Sequence, residues 1–466
     1  MTDTLFTISP IDSSIYVERK FATDDEIFAA LEAAREAQPV WSSLSFAERA
    51  HLVGQAIDLL EDRRERIAEE ITRQIGRPLA AAREEVDDSV RMARHLIELG
   101  RGALDPVVVN DSAEDKRSIR RVPHGLVFVI SPWTYPLESA LTWIVPALLA
   151  GNSVALRISN QAPLTAERLM EAFGDVGLPY GTFRVLHLDQ ERTLDVMRSS
   201  DVDFVCYAGN SAVAARVERA LAGRFTGSIL QLGGKDAAYV REDADLESAV
   251  RAIVKGVFIN GGQARGALER LYIAKPLFDD FVEAFRAEVH ETIILGDPFA
   301  PQTTLGPLGR MNVVEGVHNQ TDEAVARGAR PLIDISAYEE AMALGSRYVG
   351  PQAFVQVDHS MQLMTEVSFG PLCGIMPVQD DDEAVALMND SVYAHAAAIF
   401  TADEARAFDL AGGLVVGTVY QNHCCVTDPA LPWTGVKSSG RGTGLSTIAY
   451  EQLTRPKALS FRPFKG

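Results

Sequence analysis

Four cysteines carry the thiol chemistry of this chain: Cys206, Cys373, Cys424 and Cys425. They are too few for a disulfide scaffold and lack zinc-type spacing, so no bound metal is expected. In Asn422-His423-Cys424-Cys425 an imidazole adjoins two thiols, and a cationic neighbour can lower a thiol's pKa. The alternative is that both are small apolar fillers. Cys206 falls in a strand pattern and Cys373 follows Gly370-Pro371, so both read as core. A second feature is Phe204-Val205-Cys206-Tyr207-Ala208-Gly209-Asn210-Ser211, an apolar strand running into a small-residue turn and a helix. The first N–H groups of such a helix are free and its dipole favours an anion, so Gly209–Ser211 can receive a pyrophosphate. The turn is not a GxGxxG fingerprint.

These residues need a scaffold, and the pattern along the chain supplies one. Thr23 with Glu26, and Ser45 with Glu48, form capping boxes ahead of amphipathic helices. The second helix is expected to run on to Gly76 and Pro78, and a third from about Pro78 to Leu99. From residue 118 short apolar strands alternate with helices. Val127–Ile130, Ser153–Leu156, Phe183–Leu186 and Asp203–Tyr207 read as strands, Thr165–Phe173 and Ala212–Ala222 as helices. Further strands are expected near Arg270–Ile273, Gly374–Pro377 and Val415–Tyr420. This alternation predicts an α/β fold with two doubly wound, largely parallel sheets.

Composition narrows the function classes. The chain has 466 residues, 47% hydrophobic and 23% charged, which is ordinary for a globular protein. Its net charge of −20 repels phosphate backbones, so nucleic acid is not expected as a partner. Ser139–Leu156 is free of charge, but Pro146 and Gly151-Asn152 divide it into helix, turn and strand, so no membrane span is expected. The first residues, MTDTLFTISP, lack a secretory pattern, and a cytoplasmic location is expected.

Six ordered segments resemble the aldehyde dehydrogenase superfamily. Arg121-Val122-Pro123-His124-Gly125 leads into Ile130-Ser131-Pro132-Trp133-Thr134-Tyr135-Pro136, similar to the family's PWN-aromatic-P segment. Pro146–Asn152 is similar to PALAAGN, and Leu230-Gln231-Leu232-Gly233-Gly234-Lys235 to LELGGK. Phe258–Arg265 parallels FxNxGQxC, and Phe369-Gly370-Pro371 with Lys437–Gly442 completes the set. The resemblance implies a Rossmann-like NAD(P)-binding domain at 1–112 and 125–233, and a catalytic-type domain at 234–440. It places an oligomerisation arm and C-terminal tail at 113–124 and 441–466. It also implies dimers or tetramers, and NAD(P)-dependent oxidation of an aldehyde to an acid. In that reaction a cysteine attacks the aldehyde, an Asn steadies the oxyanion, and a Glu activates water.

The reacting positions depart from the family pattern. Arg265 stands where the nucleophilic cysteine is expected, and a guanidinium cannot form a thiohemiacetal. Gln231 replaces the general-base glutamate, and Thr134 the oxyanion asparagine. On the cofactor side the resemblance assigns Ser131, Trp133, Arg157, Ser159, Asn160, Gly209, Asn210, Gly233 and Phe369 to the dinucleotide. There Arg157 and Asn160 replace the Lys and Glu of KPSE, and Val367 stands where a carboxylate would hold the nicotinamide ribose. NAD or NADP binding is thus expected, but weakened, and Arg157 suits either a ribose hydroxyl or a 2′-phosphate.

Tyr135, Glu138 and Cys424 are expected along the substrate tunnel, with Cys425 the one candidate to replace the missing nucleophile. Arg265 has two readings: it plugs the tunnel and pairs with Glu138, or it binds an acidic ligand beside Gln231. The expected protein is therefore a divergent family member without thiol chemistry, a ligand-binding or regulatory subunit. It would act as a homo-oligomer or with an active relative. The alternative is an active NAD(P)-dependent aldehyde oxidoreductase working through Cys425. A scaffold without any small ligand is a third possibility.

Overall fold

Apolar runs too short for helices become the buried strands of two sheets in the computed structural model, which describes residues 3–463. The first sheet is ordered Gly440–Arg441, Gly227–Gln231, Phe204–Ala208, Leu126–Ser131, Ser153–Ile158, Phe183–Val185. All neighbours run parallel except the Gly440–Arg441 edge. Helices Asp24–Ser43, Pro136–Leu149 and Pro163–Asp175 flank it. The second sheet is ordered Arg330–Pro331, Gln352–Val355, Leu372–Val378, Leu268–Ala274, Asp236–Val240, Ala396–Phe400, Thr418–Gln421, antiparallel only at Arg330–Pro331. Its core is shared with helices Leu246–Phe258 and Phe278–Thr292. Both sheets carry their functional loops at strand ends, as doubly wound folds do.

The charge-free stretch splits as its Pro and Gly predict. Pro136–Leu149 is a helix in which Glu138 alone escapes full burial, Gly151 turns at φ 90°, and Ser153 opens the next strand. Asn152 pins that turn. Its Oδ1 accepts from His124 N at 2.7 Å and Gly125 N at 3.1 Å, while Nδ2 donates to the Ala147 and Leu453 carbonyls. Among the described residues no helix is long and apolar enough to cross a membrane.

Both capping boxes form, Thr23 with Glu26 and Ser45 with Glu48. The second helix, however, stops at Phe46–Asp62 and restarts as Arg64–Ile75. Arg63 leaves helical geometry (φ −95°, ψ 13°) and its guanidinium reaches Asp175 at 2.5 Å. The strand expected from Val415 starts at Thr418, because Val415 is exposed and its N–H goes to the Asn389 side chain.

A third, antiparallel sheet joins Val107–Ser112, Asp115–Pro123 and Thr454–Phe461. Residues 107–112, expected above with the nucleotide domain, instead fold back on 115–119 as a hairpin. That backbone pairing outweighs their place in the chain.

Candidate functional site

Two loops that no local pattern joins meet at the junction of the two large sheets. Gly262 lies at φ 72°, and a Cβ there would stand 1.9 Å from the Gly370 carbonyl oxygen. Only glycine therefore lets the loop carrying Arg265 lie against the loop carrying Phe369. Between these loops and the first sheet opens a cleft of about 900 Å³.

Every residue expected to touch a dinucleotide lines that cleft: Ser131, Trp133, Arg157, Ser159, Asn160, Gly209, Asn210, Gly233 and Phe369. Thr134 and Arg265 line it as well. Asn210 caps helix Ser211–Leu221 by accepting from Ala212 N at 2.7 Å. One of the free N–H groups expected to meet an anion is therefore already occupied. The Ser131 hydroxyl and the Arg157 Nε, on two residues that line the cleft, are buried without a hydrogen-bond partner. Trp133 and Phe369 meet edge to face with ring centres 6.2 Å apart.

The loop from Trp133 to Tyr135 is held from below. Arg77 is ion-paired with buried Glu85 and donates to the Thr134 carbonyl, while its guanidinium lies 4.0 Å over the Tyr135 ring. Asn260 Nδ2 donates to that same carbonyl at 3.2 Å, and Glu85 accepts from Leu137 N at 3.1 Å. The Phe369 loop has its own support. Buried Lys235 pairs with Glu269 at 2.6 Å, and Glu269 accepts from Ser368 N at 2.9 Å and Phe369 N at 3.1 Å.

At the reacting end, Arg265 and Glu138 feel each other electrostatically but form no ion pair, contrary to the expected pairing. Glu138 hydrogen-bonds Thr427 instead, and Arg265 Nη1 is buried without a partner. Burial pulls the guanidinium of Arg265 down and pushes the carboxyl of Glu138 up. Gln231 Nε2 donates to the Trp433 carbonyl at 3.4 Å. Tyr135 lies near enough to Glu138 and Cys425 to feel their charge.

Cys424 and Cys425 pack beside helix Leu246–Phe258. Cys425 Sγ donates to the Gly266 carbonyl at 2.9 Å and Cys424 Sγ to the Ala252 carbonyl at 3.3 Å. The Cys425 thiol is pushed well up, first by its contact with Cys424 and then by burial. This is the opposite of the lowering that a nearby imidazole would give. The exposed His423 turns away, its Nδ1 engaging the Gln421 carbonyl at 2.8 Å. Cys206 and Cys373 are fully buried core thiols. Among the described residues no cluster of metal-ligating side chains occurs.

The aldehyde dehydrogenase family profile matches residues 2–459 of this chain. The chain belongs to the aldehyde dehydrogenase family. It is 32% identical over 466 residues to a succinate-semialdehyde dehydrogenase [NADP(+)] of Deinococcus radiodurans, spanning 98% of this chain and 95% of that one. A succinate semialdehyde dehydrogenase [NAD(P)+] of Escherichia coli is 32% identical over 435 residues, covering 93% and 92%. The solved structure of an NADP-dependent enzyme of E. coli superposes with a TM-score of 0.94 at 26% identity, covering 99% of this chain and 95% of that one. Within this aldehyde dehydrogenase family chain, motif reading found the cleft but missed its supports. Arg77, Glu85 and Glu269 carry no sequence signal, because they act on backbone atoms distant in the chain, and Asn260 lay within the Phe258–Arg265 motif without its support of the Thr134 carbonyl being visible there. Arg310, which also lines the cleft, was missed as well. An arginine in a helix-opening loop ordinarily faces water.

Proposed function

We propose that this aldehyde dehydrogenase family member binds a nicotinamide dinucleotide but does not carry out covalent thiol oxidation, and serves as a ligand-binding or regulatory subunit. The observation that carries this reading is Arg265. It lines the cleft where the family's nucleophile is expected, it is cationic, and its Nη1 lacks a partner. The nearest thiol, Cys425, is held protonated by Cys424 and burial. Losing a nucleophile that works with its base costs on the order of 10⁶ in turnover, whereas losing two ribose hydrogen bonds costs only ~1–1.5 kcal/mol each.

A bound dinucleotide would supply a hydride acceptor. Ser131, Trp133, Arg157, Ser159, Asn160, Gly209, Asn210, Gly233 and Phe369 are the residues to hold it, and the buried unpartnered Ser131 and Arg157 atoms suit that role. With Val367 in place of a carboxylate, its hold is weaker than in the relatives. The unpartnered Arg265 fits a carboxylate-bearing small molecule at the end of the cleft. Domain limits near 106 and 233, and assembly as a dimer or tetramer through the third sheet, belong to the same proposal. So does a cytoplasmic location.

A second reading is an active NAD(P)-dependent aldehyde oxidoreductase using Cys425. It is favoured by the relatives, which are named as semialdehyde dehydrogenases. One experiment separates the two: titrate NAD and NADP into the purified protein calorimetrically, then follow reduced cofactor with succinate semialdehyde. The first reading expects micromolar cofactor binding, no turnover, and turnover appearing in Arg265→Cys/Gln231→Glu. Wild-type turnover lost in Cys425→Ser would establish the second.

A further inference from the structure

Besides Arg265, the cofactor cleft of this strongly acidic chain contains two guanidinium groups that form no ion pair with a carboxylate. Arg157 and Arg310 both line it. Arg310 Nη2 donates to Ser159 Oγ at 2.5 Å, and its guanidinium sits 5.2 Å over the Trp133 ring. Arg157 Nη2 donates to Asn160 Oδ1 at 3.2 Å and to the Leu188 carbonyl at 3.4 Å, while its Nε is buried and unpartnered. The two arginines thus hydrogen-bond adjacent residues, Arg310 to Ser159 and Arg157 to Asn160. The acid nearest them in the cleft is already used. Asp189 Oδ1 caps a helix by accepting from Arg192 N at 2.8 Å, and Oδ2 pairs with the Arg192 guanidinium at 2.8 Å. A third cation, Arg347, stands behind Arg310 with its Nη1 on the Gly309 carbonyl at 2.6 Å.

Burying a cation without a counter-ion is costly, and two in one cleft repel each other. Burial draws both guanidinium groups down to about 10, and for Arg310 the charges of Arg157 and Arg347 add to it. The chain carries a net charge of −20 and many of its arginines are ion-paired, yet these two line an open cleft with no carboxylate partner, a place an anion from outside can fill. An exposed ribose hydroxyl needs only one donor, whereas a phosphomonoester dianion offers three acceptor oxygens and matches two planar forks.

We infer that Arg310 and Arg157 form a clamp for a phosphomonoester on the adenosine ribose, making Arg310 a specificity-determining residue that selects NADP over NAD. The inference rests on the nucleotide-binding reading above and deepens it. Arg310 holds the Ser159 hydroxyl, and its Trp133 stacking fixes the plane of the fork; Arg157, on the neighbouring Asn160, adds the second guanidinium charge.

The test is calorimetric titration of the full chain with NADP+ and NAD+, in the wild type, Arg310→Gln and Arg310→Lys, with thermal melts to verify folding. A preference for NADP+ of about 10- to 100-fold is expected, the worth of one or two charge-assisted hydrogen bonds. It should collapse toward unity in Arg310→Gln through loss of NADP+ affinity, with NAD+ affinity within a few-fold of wild type, and survive in part in Arg310→Lys. Equal wild-type affinities, which need no variant to measure, overturn the inference and leave nucleotide binding standing. So does a preference that both folded variants keep in full. Absence of binding by either cofactor overturns the nucleotide reading and this inference with it.

Discussion

A buried charge leaves traces in the atoms around it. Arg265 brings a cation into the junction, and His395 behind it responds. Burial first, and then the charge of Arg265, draw the His395 imidazole down to about 4, and its Nε2 meets the Leu232 carbonyl at 2.8 Å. The folded state therefore refuses a proton that the unfolded chain accepts near pH 6.5. Between those values the unfolded state binds more protons, so stability falls as pH drops through about 6.5 toward 4. Urea unfolding should show a loss of about 2 kcal/mol from pH 7.5 to pH 5 attributable to this group. His395→Leu should flatten that slope; an unchanged slope would place the acid sensitivity elsewhere. Residue identity at 265, 231 and 134 was legible from motif spacing alone. Which contacts those residues make was not, because Arg265 reaches no ion pair with Glu138 and Gln231 turns to a carbonyl 202 positions away.

At the scale of elements, the cleft is a meeting of loops whose shapes are imposed by buried charges. Lys235 and Glu269 are both nearly inaccessible, and Glu269 carries the two amides that shape the Ser368–Phe369 turn, where Phe369 adopts φ 53°. Glu269→Gln leaves Lys235 buried without its counter-charge, a change of about 3–5 kcal/mol. Thermal melts should register it as a large drop in Tm. The double variant Lys235→Met/Glu269→Met should regain much of that stability, since neither charge is then buried alone. Its nucleotide affinity should stay low, because the turn has lost its acceptor. If affinity recovers together with stability, the pair does not shape the turn. The strands were legible here, because four to seven apolar residues bounded by turns have few alternatives. The break at Arg63 was not, since local periodicity continues through it and its guanidinium meets Asp175, 112 positions away.

For the whole molecule, the third sheet presents an edge strand with Val107, Val108 and Val109 each more than half exposed, and Phe461 exposed on the opposite edge strand. Unpaired strand edges with consecutive valines invite association, and a monomer rarely leaves them bare. Light scattering should therefore give the mass of a dimer or tetramer rather than the 50.7 kDa of one chain. Val108→Asp should shift that mass toward a monomer without altering the far-ultraviolet circular dichroism. A monomeric wild type would remove the third sheet from the account of assembly.

The sequence by itself determined the family, the alternation of strands and helices, and the presence of an arginine at 265, where the resemblance implies a cysteine. Each of these is written in short-range order, as motif spacing, apolar period or residue type. Only the tertiary structure decided that Gly262 locks against Gly370, that Glu269 shapes the Phe369 turn, and that Cys425 packs beside Cys424 with its Sγ on the Gly266 carbonyl. It alone placed Arg310 beside Arg157 without an acid to answer them. The reason is physical: whether a charge is paired, buried or left facing a ligand depends on groups a hundred or more residues away, and no local pattern records that distance.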